Sequence, residues 1–160
     1  MRVVVADTGP LNYLVLVEAI DCLSRLFGTV HVPDAVITEL RHPQAPPVVR
    51  AWIEAPPDWL TLTPTTPLDP AFHPRLGLGE RSAIALAQEL RADLLIMDDR
   101  LGVAAAAGQG LAAVGTLRIL RLAADRGLLD FATSVTRLQA TNFRVRASVL
   151  RALMAGAAGP

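Results

Sequence analysis

The sequence contains no lysine, since all fifteen of its basic residues are arginine. This absence excludes a phosphate-binding loop of the GKS or GKT type, in which a lysine reaches the phosphates. It also excludes mechanisms built on a Schiff-base or general-base lysine. A phosphotransfer domain of the receiver type is excluded for the same reason, because that class requires a lysine.

Cysteine is almost absent as well, and Cys22 is the only one. A single thiol cannot form an internal disulfide, which is typical of a reducing compartment. The three histidines, His31, His42 and His73, are scattered, so no tetrahedral zinc set is visible. No apolar run reaches the roughly 18 residues of a membrane span, and no signal-peptide pattern begins the chain. We therefore expect a cytoplasmic protein with no membrane contact.

What is present is a chain of 160 residues, 52% of them hydrophobic, which is enough for one domain with a full core. Short apolar runs alternate with helical patterns. This alternation predicts an α/β fold of three layers (α/β/α) with a central, mostly parallel five-stranded sheet. The predicted strands are 3–6, 29–32, 59–62, 92–97 and 112–115. The predicted helices of the core are 11–27, 35–40, 48–54, 78–91, 101–107 and 117–127, the last capped by Thr116.

Charge is distributed unevenly along this chain. Residues 1–117 carry 8 Arg and 13 acidic residues, a balance of −5, and residues 118–160 carry 7 Arg and 2 Asp, a balance of +5. We interpret residues 1–160 as a single domain with a core over 1–127 and a basic helical tail over 128–160, with a break around Asn142. Such asymmetry is typical of a nucleic-acid contact or, equally, of a solvated helical face.

The first predicted strand ends at Asp7, which is followed by Thr8, Gly9 and Pro10. Proline suits the first turn of a helix, because its missing N–H would have no intrahelical partner there. Asp7 is therefore expected at the carboxyl end of an inner strand, the edge at which open α/β sheets bind ligands. A phosphatase of the haloacid-dehalogenase type is excluded, because it needs a second aspartate where this chain has Gly9.

Further acidic residues lie where they can reach the same edge. Asp98 and Asp99 end a second apolar strand, and Glu39 and Glu80 lie on helical segments among core-forming residues, where an unpaired carboxylate is costly. Each has a structural alternative: an aspartate could cap a helix, Glu80 could complement a helix dipole, and Glu39 could be exposed. If they converge with Asp7, their repulsion favours a hard cation such as Mg²⁺ or Mn²⁺. Such a cation can activate water for phosphodiester hydrolysis.

Four segments resemble, in order and spacing, the successive acidic motifs of PIN-domain nucleases of the VapC-like branch. They are Asp7-Thr8-Gly9-Pro10-Leu11, Val36-Ile37-Thr38-Glu39-Leu40, Gly79-Glu80-Arg81-Ser82-Ala83-Ile84-Ala85-Leu86-Ala87 and Leu95-Ile96-Met97-Asp98-Asp99-Arg100. The resemblance covers about residues 1–127. It implies a parallel sheet flanked by helices, Mg²⁺- or Mn²⁺-dependent cleavage of RNA, frequent homodimers and, for toxin members, an antitoxin protein that occludes the site.

By position, the resemblance assigns the catalytic and metal-binding roles to Asp7, Glu39, Glu80 and Asp98, and a supporting role to the hydroxyl of Thr8. Asp99 is the alternative to Asp98. We favour Asp98, because Asp99 and Arg100 better suit the start of the following helix. The chain departs from this branch at Ser82, where relatives often carry a second glutamate, and at Gly102-Val103, where they often have Gly-Arg.

We therefore predict a metal-dependent endoribonuclease, the toxin of a toxin–antitoxin pair. Asp7 and Asp98 would bind the metal directly, and Glu39 and Glu80 directly or through water. The alternative is a catalytically weak or inactive PIN-like scaffold that binds a protein or nucleic-acid partner. The arginines that could bind RNA phosphates, or else form solvated surface, are Arg81, Arg100, Arg137, Arg144 and Arg146.

Overall fold

The computed structural model describes residues 2–71 and 73–158, with side chains described as far as Ala155. Its centre is a five-stranded sheet in which every pair of neighbouring strands is parallel. The strands are β1 (Val4–Ala6), β2 (Val30–Val32), β3 (Leu60–Leu62), β4 (Leu94–Ile96) and β5 (Ala113–Val114). They lie in the order β3-β2-β1-β4-β5. The predicted central parallel sheet is confirmed.

Helices follow or precede each strand in the described chain. They are α1 (Thr8–Leu16), α2 (Cys22–Phe27), α3 (Asp34–Leu40), α4 (Pro47–Glu54), α5 (Leu78–Glu89), α6 (Arg100–Gly108), α7 (Thr116–Asp125), α8 (Phe131–Gln139) and α9 (Ala147–Ala158). Side chains alternate between the two faces of a strand. Val4 and Ala6 of β1 therefore enter one apolar cluster with α1, α3, α7 and α8, and Val5 enters a second cluster with α5 and α6. The sheet thus lies between two helical layers, which confirms the three-layer prediction.

The order of the strands reverses at the middle of the sheet. From β1 the chain first adds β2 and then β3 on one side of the sheet. It then returns to the other side of β1, where β4 pairs with it as Val4↔Leu94 and Ala6↔Ile96. In open parallel sheets the crevice at such a reversal, outside the carboxyl ends of the strands, is where ligands bind. Asp7 follows β1 and Asp98 lies two residues after β4, so both lie at this crevice.

The single helix predicted over residues 11–27 is wrong, because α1 ends at Leu16 and α2 begins at Cys22. Glu18 adopts a left-handed backbone with φ of 60°. The Ala19 N–H donates to the Leu14 carbonyl at 2.8 Å, and the Glu18 N–H donates to the Val15 carbonyl at 3.0 Å. This is the Schellman ending of a helix, which usually has glycine at the left-handed position. The sequence has no glycine there and so gives no local signal.

The C-terminal helices lie on both sides of the predicted break around Asn142, since α8 ends at Gln139 and α9 begins at Ala147. Phe131, Val135 and Leu138 of α8 are buried in the main apolar cluster, so the packed core extends beyond residue 127. The division into core and tail stays a prediction.

Cys22 is buried at the start of α2, and this burial raises the pKa of its thiol to about 12. In the part of the chain that the structure describes, no helix is long and apolar enough to span a membrane.

Candidate active site

Asp7 is the buried acid of the strand edge, with 4% of its surface exposed. It stands just before α1, but its side chain makes no capping hydrogen bond. Its backbone N–H donates to the Ile96 carbonyl at 2.9 Å, which ties it to β4. The carboxylate oxygen Oδ1 is buried without a hydrogen-bond partner among the described residues. Helix capping therefore does not account for this aspartate.

The pKa of Asp7 is raised to about 8 from an ordinary value near 3.8. Burial is the largest cause, because it disfavours the charged form. The negative charges of Glu80, and then of Glu39 and Asp98, raise the pKa further, and a hydrogen bond from the Thr8 backbone opposes the shift. Asp7 thus has the other three predicted acids as charged neighbours, and without a cation beside it a pKa of about 8 favours its protonated form near neutral pH.

The side chain of Asp98 is held in place by Thr116, the first residue of α7. The Thr116 N–H donates to Asp98 Oδ1 at 2.8 Å, and the Thr116 hydroxyl donates to Oδ2 at 2.6 Å. A Cβ added at Gly115 would lie 2.5 Å from Oδ1, so the backbone approaches the carboxylate closely at this point. Burial raises the pKa of Asp98, whereas the two hydrogen bonds from Thr116 lower it. The prediction that Thr116 caps α7 is wrong, because Gly115 occupies the cap position and the Thr116 hydroxyl serves Asp98.

Asp99 faces the following helix instead. It occupies the cap position of α6, where its Oδ2 accepts from the Gly102 N–H at 2.7 Å. One carboxylate oxygen of Asp99 thus caps α6, which agrees with the expectation that Asp99 and Arg100 form the start of this helix. The choice of Asp98 over Asp99 as a metal ligand stays a prediction.

Glu39 lies on α3 and is held by the residue next to Asp7. The Thr8 hydroxyl donates a hydrogen bond to Glu39 Oε2. On its other side, α5 passes so closely that a Cβ added at Gly79 would lie 2.5 Å from Oε2 and 2.6 Å from Oε1. The glycine therefore leaves the space that the Glu39 carboxylate occupies.

Glu80 lies in the first turn of α5 and is half-buried. Its carboxylate approaches the α5 start, since a Cβ added at Gly77 would lie 2.6 Å from Oε2. Its Cγ lies 3.6 Å from the position of a Cβ added at Gly102, so Glu80 also faces the start of α6. Of the three neighbouring carboxylates it has the largest effect on the pKa of Asp7.

The four predicted acids thus surround one crevice without forming a finished metal cage. Within residues 2–71 and 73–158, no three acidic, histidine or cysteine side chains are grouped closely enough to hold a metal ion as they stand. The four acids nevertheless have the ligand chemistry that a hard divalent cation prefers, because all their donor atoms are carboxylate oxygens. Asp7 Oδ1 in addition has no hydrogen-bond partner among the described residues. The assignment of metal ligands stays a prediction.

The five predicted RNA-binding arginines differ in their surroundings. Arg81 donates to the carbonyls of Leu68 at 3.0 Å and Leu76 at 3.4 Å, so it braces the loop before α5. Arg137 forms an ion pair with Glu18 at 3.5 Å. Arg137 is exposed as well, as are the other three, Arg100, Arg144 and Arg146.

Two adjoining cavities of about 480 and 570 Å³ open beside Asp98 on the side of α6 and α9. Both are lined by Asp98, Gly115 and Val149. Arg100 lines the larger cavity, and Arg118, which sequence reasoning missed, lines the smaller one. Only its position after the last strand could have drawn attention to Arg118.

Comparison with known proteins identifies the family and agrees with the fold. A family model described as a PIN domain (DUF3368) matches residues 3–158. The fold is similar to that of a PilT N-terminus domain protein from the hyperthermophilic archaeon Sulfolobus solfataricus P2, with a TM-score of 0.51 and 16% sequence identity. That similarity covers 89% of this chain and 97% of the other, and at this identity it concerns the fold alone. No curated protein sequence matches significantly. The chain therefore belongs to the PIN-domain family, whose members are generally nucleases and typically use divalent metal ions.

Proposed function

We propose that this protein is a metal-dependent endoribonuclease that hydrolyses RNA phosphodiester bonds with Mg²⁺ or Mn²⁺. The observation that supports this most strongly is Asp7, a buried carboxyl with an unpartnered oxygen at the reversal of the strand order. Its pKa is raised to about 8, first by burial and then by its three acidic neighbours. A carboxyl group in such surroundings is costly unless a cation or a proton neutralises it.

In this proposal Asp7 and Asp98 hold the cation, and Glu39 and Glu80 bind it directly or through water. When bound, the cation lowers the pKa of a coordinated water and offsets the charge of the phosphodiester. Thr8 and Thr116 keep the carboxylates of Glu39 and Asp98 in place through their hydrogen bonds.

The RNA backbone is proposed to run past the exposed arginines on the α6 and α9 side. Arg100 and Arg118 line the cavities that contain Asp98, and Arg144 and Arg146 are exposed just before α9. Arginine contacts to phosphate release counterions, so binding should weaken steeply as salt rises.

As to its biological role, we propose a homodimeric toxin whose antitoxin covers the crevice. The exposed apolar residues near Asp98 suit a covering protein: Val149 is 45% exposed beside the cavities, and Leu101 is 46% exposed at the start of α6. Co-purification of the chain with its genetic neighbour, followed by recovery of cleavage when the neighbour is removed, tests this role.

The test of the activity compares cleavage of a random-sequence RNA pool by wild type and Asp7→Asn, with Mg²⁺, with Mn²⁺ and with EDTA. We expect cleavage by the wild type with either metal, none with EDTA, and at least a hundredfold loss in Asp7→Asn. Asp58→Asn is the matched control, because Asp58 is exposed and precedes β3, at the edge of the parallel sheet opposite the site. Equal activity of wild type and Asp7→Asn, or no cleavage with either metal, would contradict the proposal.

A second candidate function is an inactive PIN-like scaffold that binds a protein or nucleic-acid partner. It is favoured by one observation, that the described carboxylates do not form a compact group of three. Retention of RNA in a mobility-shift assay that is unaffected by metal, without cleavage, is its expected result.

A further inference from the structure

A third cavity lies on the opposite side of the acidic crevice, between α3, the start of α5 and the loop that precedes α5. Its volume is about 220 Å³, below the roughly 300 Å³ at which pockets for drug-sized ligands begin. One planar ring system fits this space and a whole nucleotide does not. The lining residues that matter below are Asp34, Thr38, Glu39, Thr65 and Ser82.

The hydroxyl of Ser82 is the unusual group in this lining. Ser82 is 1% exposed, and its Oγ has no hydrogen-bond partner among the described residues. A serine inside a helix ordinarily donates to the carbonyl four residues earlier, and Ser82 makes no such hydrogen bond. A buried polar group that lacks a partner is unfavourable, so a ligand that supplies the partner gains affinity at this position.

The rest of the lining offers hydrogen-bond acceptors. The Thr38 hydroxyl donates to the Asp34 carbonyl at 3.1 Å, and the Thr65 hydroxyl donates to Glu89 Oε1 at 2.5 Å, so both oxygens present free lone pairs. The carboxylates of Asp34 and Glu39 add negative charge, and no arginine is among the residues that line the cavity. This lining repels a phosphate and favours a neutral group that carries N–H donors.

We propose that this cavity binds one nucleobase of the RNA strand through its exocyclic amino group, an inference that rests on the function proposed above. Adenine, cytosine and guanine carry such an amino group, whereas uracil offers only its ring N3–H as a donor, so uracil is the base that the cavity binds least well. Because Glu39 belongs both to the cavity and to the acidic crevice, a base bound here brings a phosphodiester of its own strand towards Asp7.

The first test reads base preference from cleavage. A random RNA pool is cut by wild type, Ser82→Ala and Ser134→Ala, and the new ends are sequenced. For the wild type we expect uracil to be depleted about 5- to 10-fold at one position near the cut, the effect of one hydrogen bond to a neutral group. Ser82→Ala should reduce this depletion to less than twofold. Ser134, a buried serine of α8, is the matched control and should leave the depletion unchanged.

A second test does not depend on cleavage. Adenosine, cytidine and uridine are titrated separately into isotope-labelled protein in EDTA, and the backbone amide shifts of Thr38 and Ser82 are followed. We expect saturable shifts with adenosine and cytidine, weaker shifts with uridine, and loss of the difference in Ser82→Ala.

The two tests separate the two proposals. Absence of cleavage in every variant, together with base-dependent shifts, would overturn the nuclease and support the cavity. Cleavage without any base preference, together with equal or absent shifts for the three nucleosides, would overturn the cavity and leave the nuclease standing.

Discussion

Two hydrogen bonds from Thr116 hold both carboxylate oxygens of Asp98, one from the backbone N–H at 2.8 Å and one from the hydroxyl at 2.6 Å. Thr116 is fully buried, and the two residues are eighteen positions apart in the sequence. The threonine therefore fixes the direction of Asp98 in the crevice and keeps the pKa of Asp98 below the value that burial alone would give.

Thr116→Val removes the hydroxyl and keeps the shape of the side chain. We expect RNA cleavage to fall about tenfold and the free energy of unfolding to fall by about 1–2 kcal/mol. The reason is that Asp98 Oδ2 loses the charge-assisted hydrogen bond from the Thr116 hydroxyl. The pKa of Asp98 should rise, so the acidic limb of the pH–rate profile should move to higher pH. Thr116→Ser, which keeps the hydroxyl, should restore the profile. A Val variant with an unchanged profile would contradict a positioning role for Thr116.

The raised pKa of Asp7 predicts how stability depends on pH when divalent cations are chelated. Between its ordinary value near 3.8 and about 8, the folded protein binds a proton at Asp7 that the unfolded chain releases. Stability should therefore fall as pH rises through this window, by up to about 1.4 kcal/mol per pH unit. Asp7→Asn, which carries no charge, should be more stable than wild type by about 2–5 kcal/mol at pH 8 and by less than about 1 kcal/mol at pH 4.

Urea unfolding of wild type and Asp7→Asn in EDTA at both pH values measures this difference. Asp58→Asn, at an exposed position, should match the wild type at each pH. The same stability gap between wild type and Asp7→Asn at pH 4 and pH 8 would contradict the prediction.

Gly79→Ala tests whether the Glu39 carboxylate needs the space that Gly79 leaves beside it. The new Cβ would lie 2.5 Å from Glu39 Oε2, so the carboxylate must move and give up its hydrogen bond from Thr8. Because the displaced group is the end of a flexible side chain and alanine favours helix, the free energy of unfolding should change by less than about 1 kcal/mol. Cleavage should nevertheless fall at least tenfold.

The matched control is Gly108→Ala, where no atom lies within 4 Å of the added Cβ. It should leave cleavage unchanged. If Gly79→Ala and Gly108→Ala cleave equally well, the position of Glu39 does not matter for activity.

Arg91→Gly should stabilise the protein. Arg91 has a left-handed backbone with φ of 51° just after α5, and the Ala92 N–H closes the helix on the Ala87 carbonyl at 2.8 Å. Glycine adopts this backbone without the steric cost that other residues pay, so we expect a gain of about 0.5–1 kcal/mol. Thermal and urea unfolding measure it. Arg126→Gly, at an exposed helix end with ordinary φ of −94°, should give no gain.

Much of the fold and the place of the site could be predicted because both depend on short, local patterns. The apolar runs before Asp7 and Asp98 mark buried parallel strands, and parallel strands place their carboxyl ends at one edge. The helical positions of Glu39 and Glu80 followed from the spacing of apolar neighbours. None of these steps needed the detailed packing of side chains.

The remainder depends on contacts between distant parts of the chain. The break at Glu18 has a non-glycine residue in the left-handed region, so composition gave no sign of it. The hydrogen bonds of Thr116 to Asp98 form only when β4 and β5 lie side by side. The partnerless hydroxyl of Ser82 is a property of packing, and a serine in a helical pattern looks ordinary in sequence.

The burial of Cys22 has a practical consequence for labelling. Its thiol is 6% exposed with a pKa raised to about 12, so almost no reactive thiolate forms near neutral pH. The sequence also has no lysine side chain that an amine-directed dye could modify. A cysteine introduced at exposed Ala104, which lines the cavity beside Asp98, would therefore carry a maleimide dye at one defined position. Such a dye would report the arrival of an RNA strand or a covering protein directly.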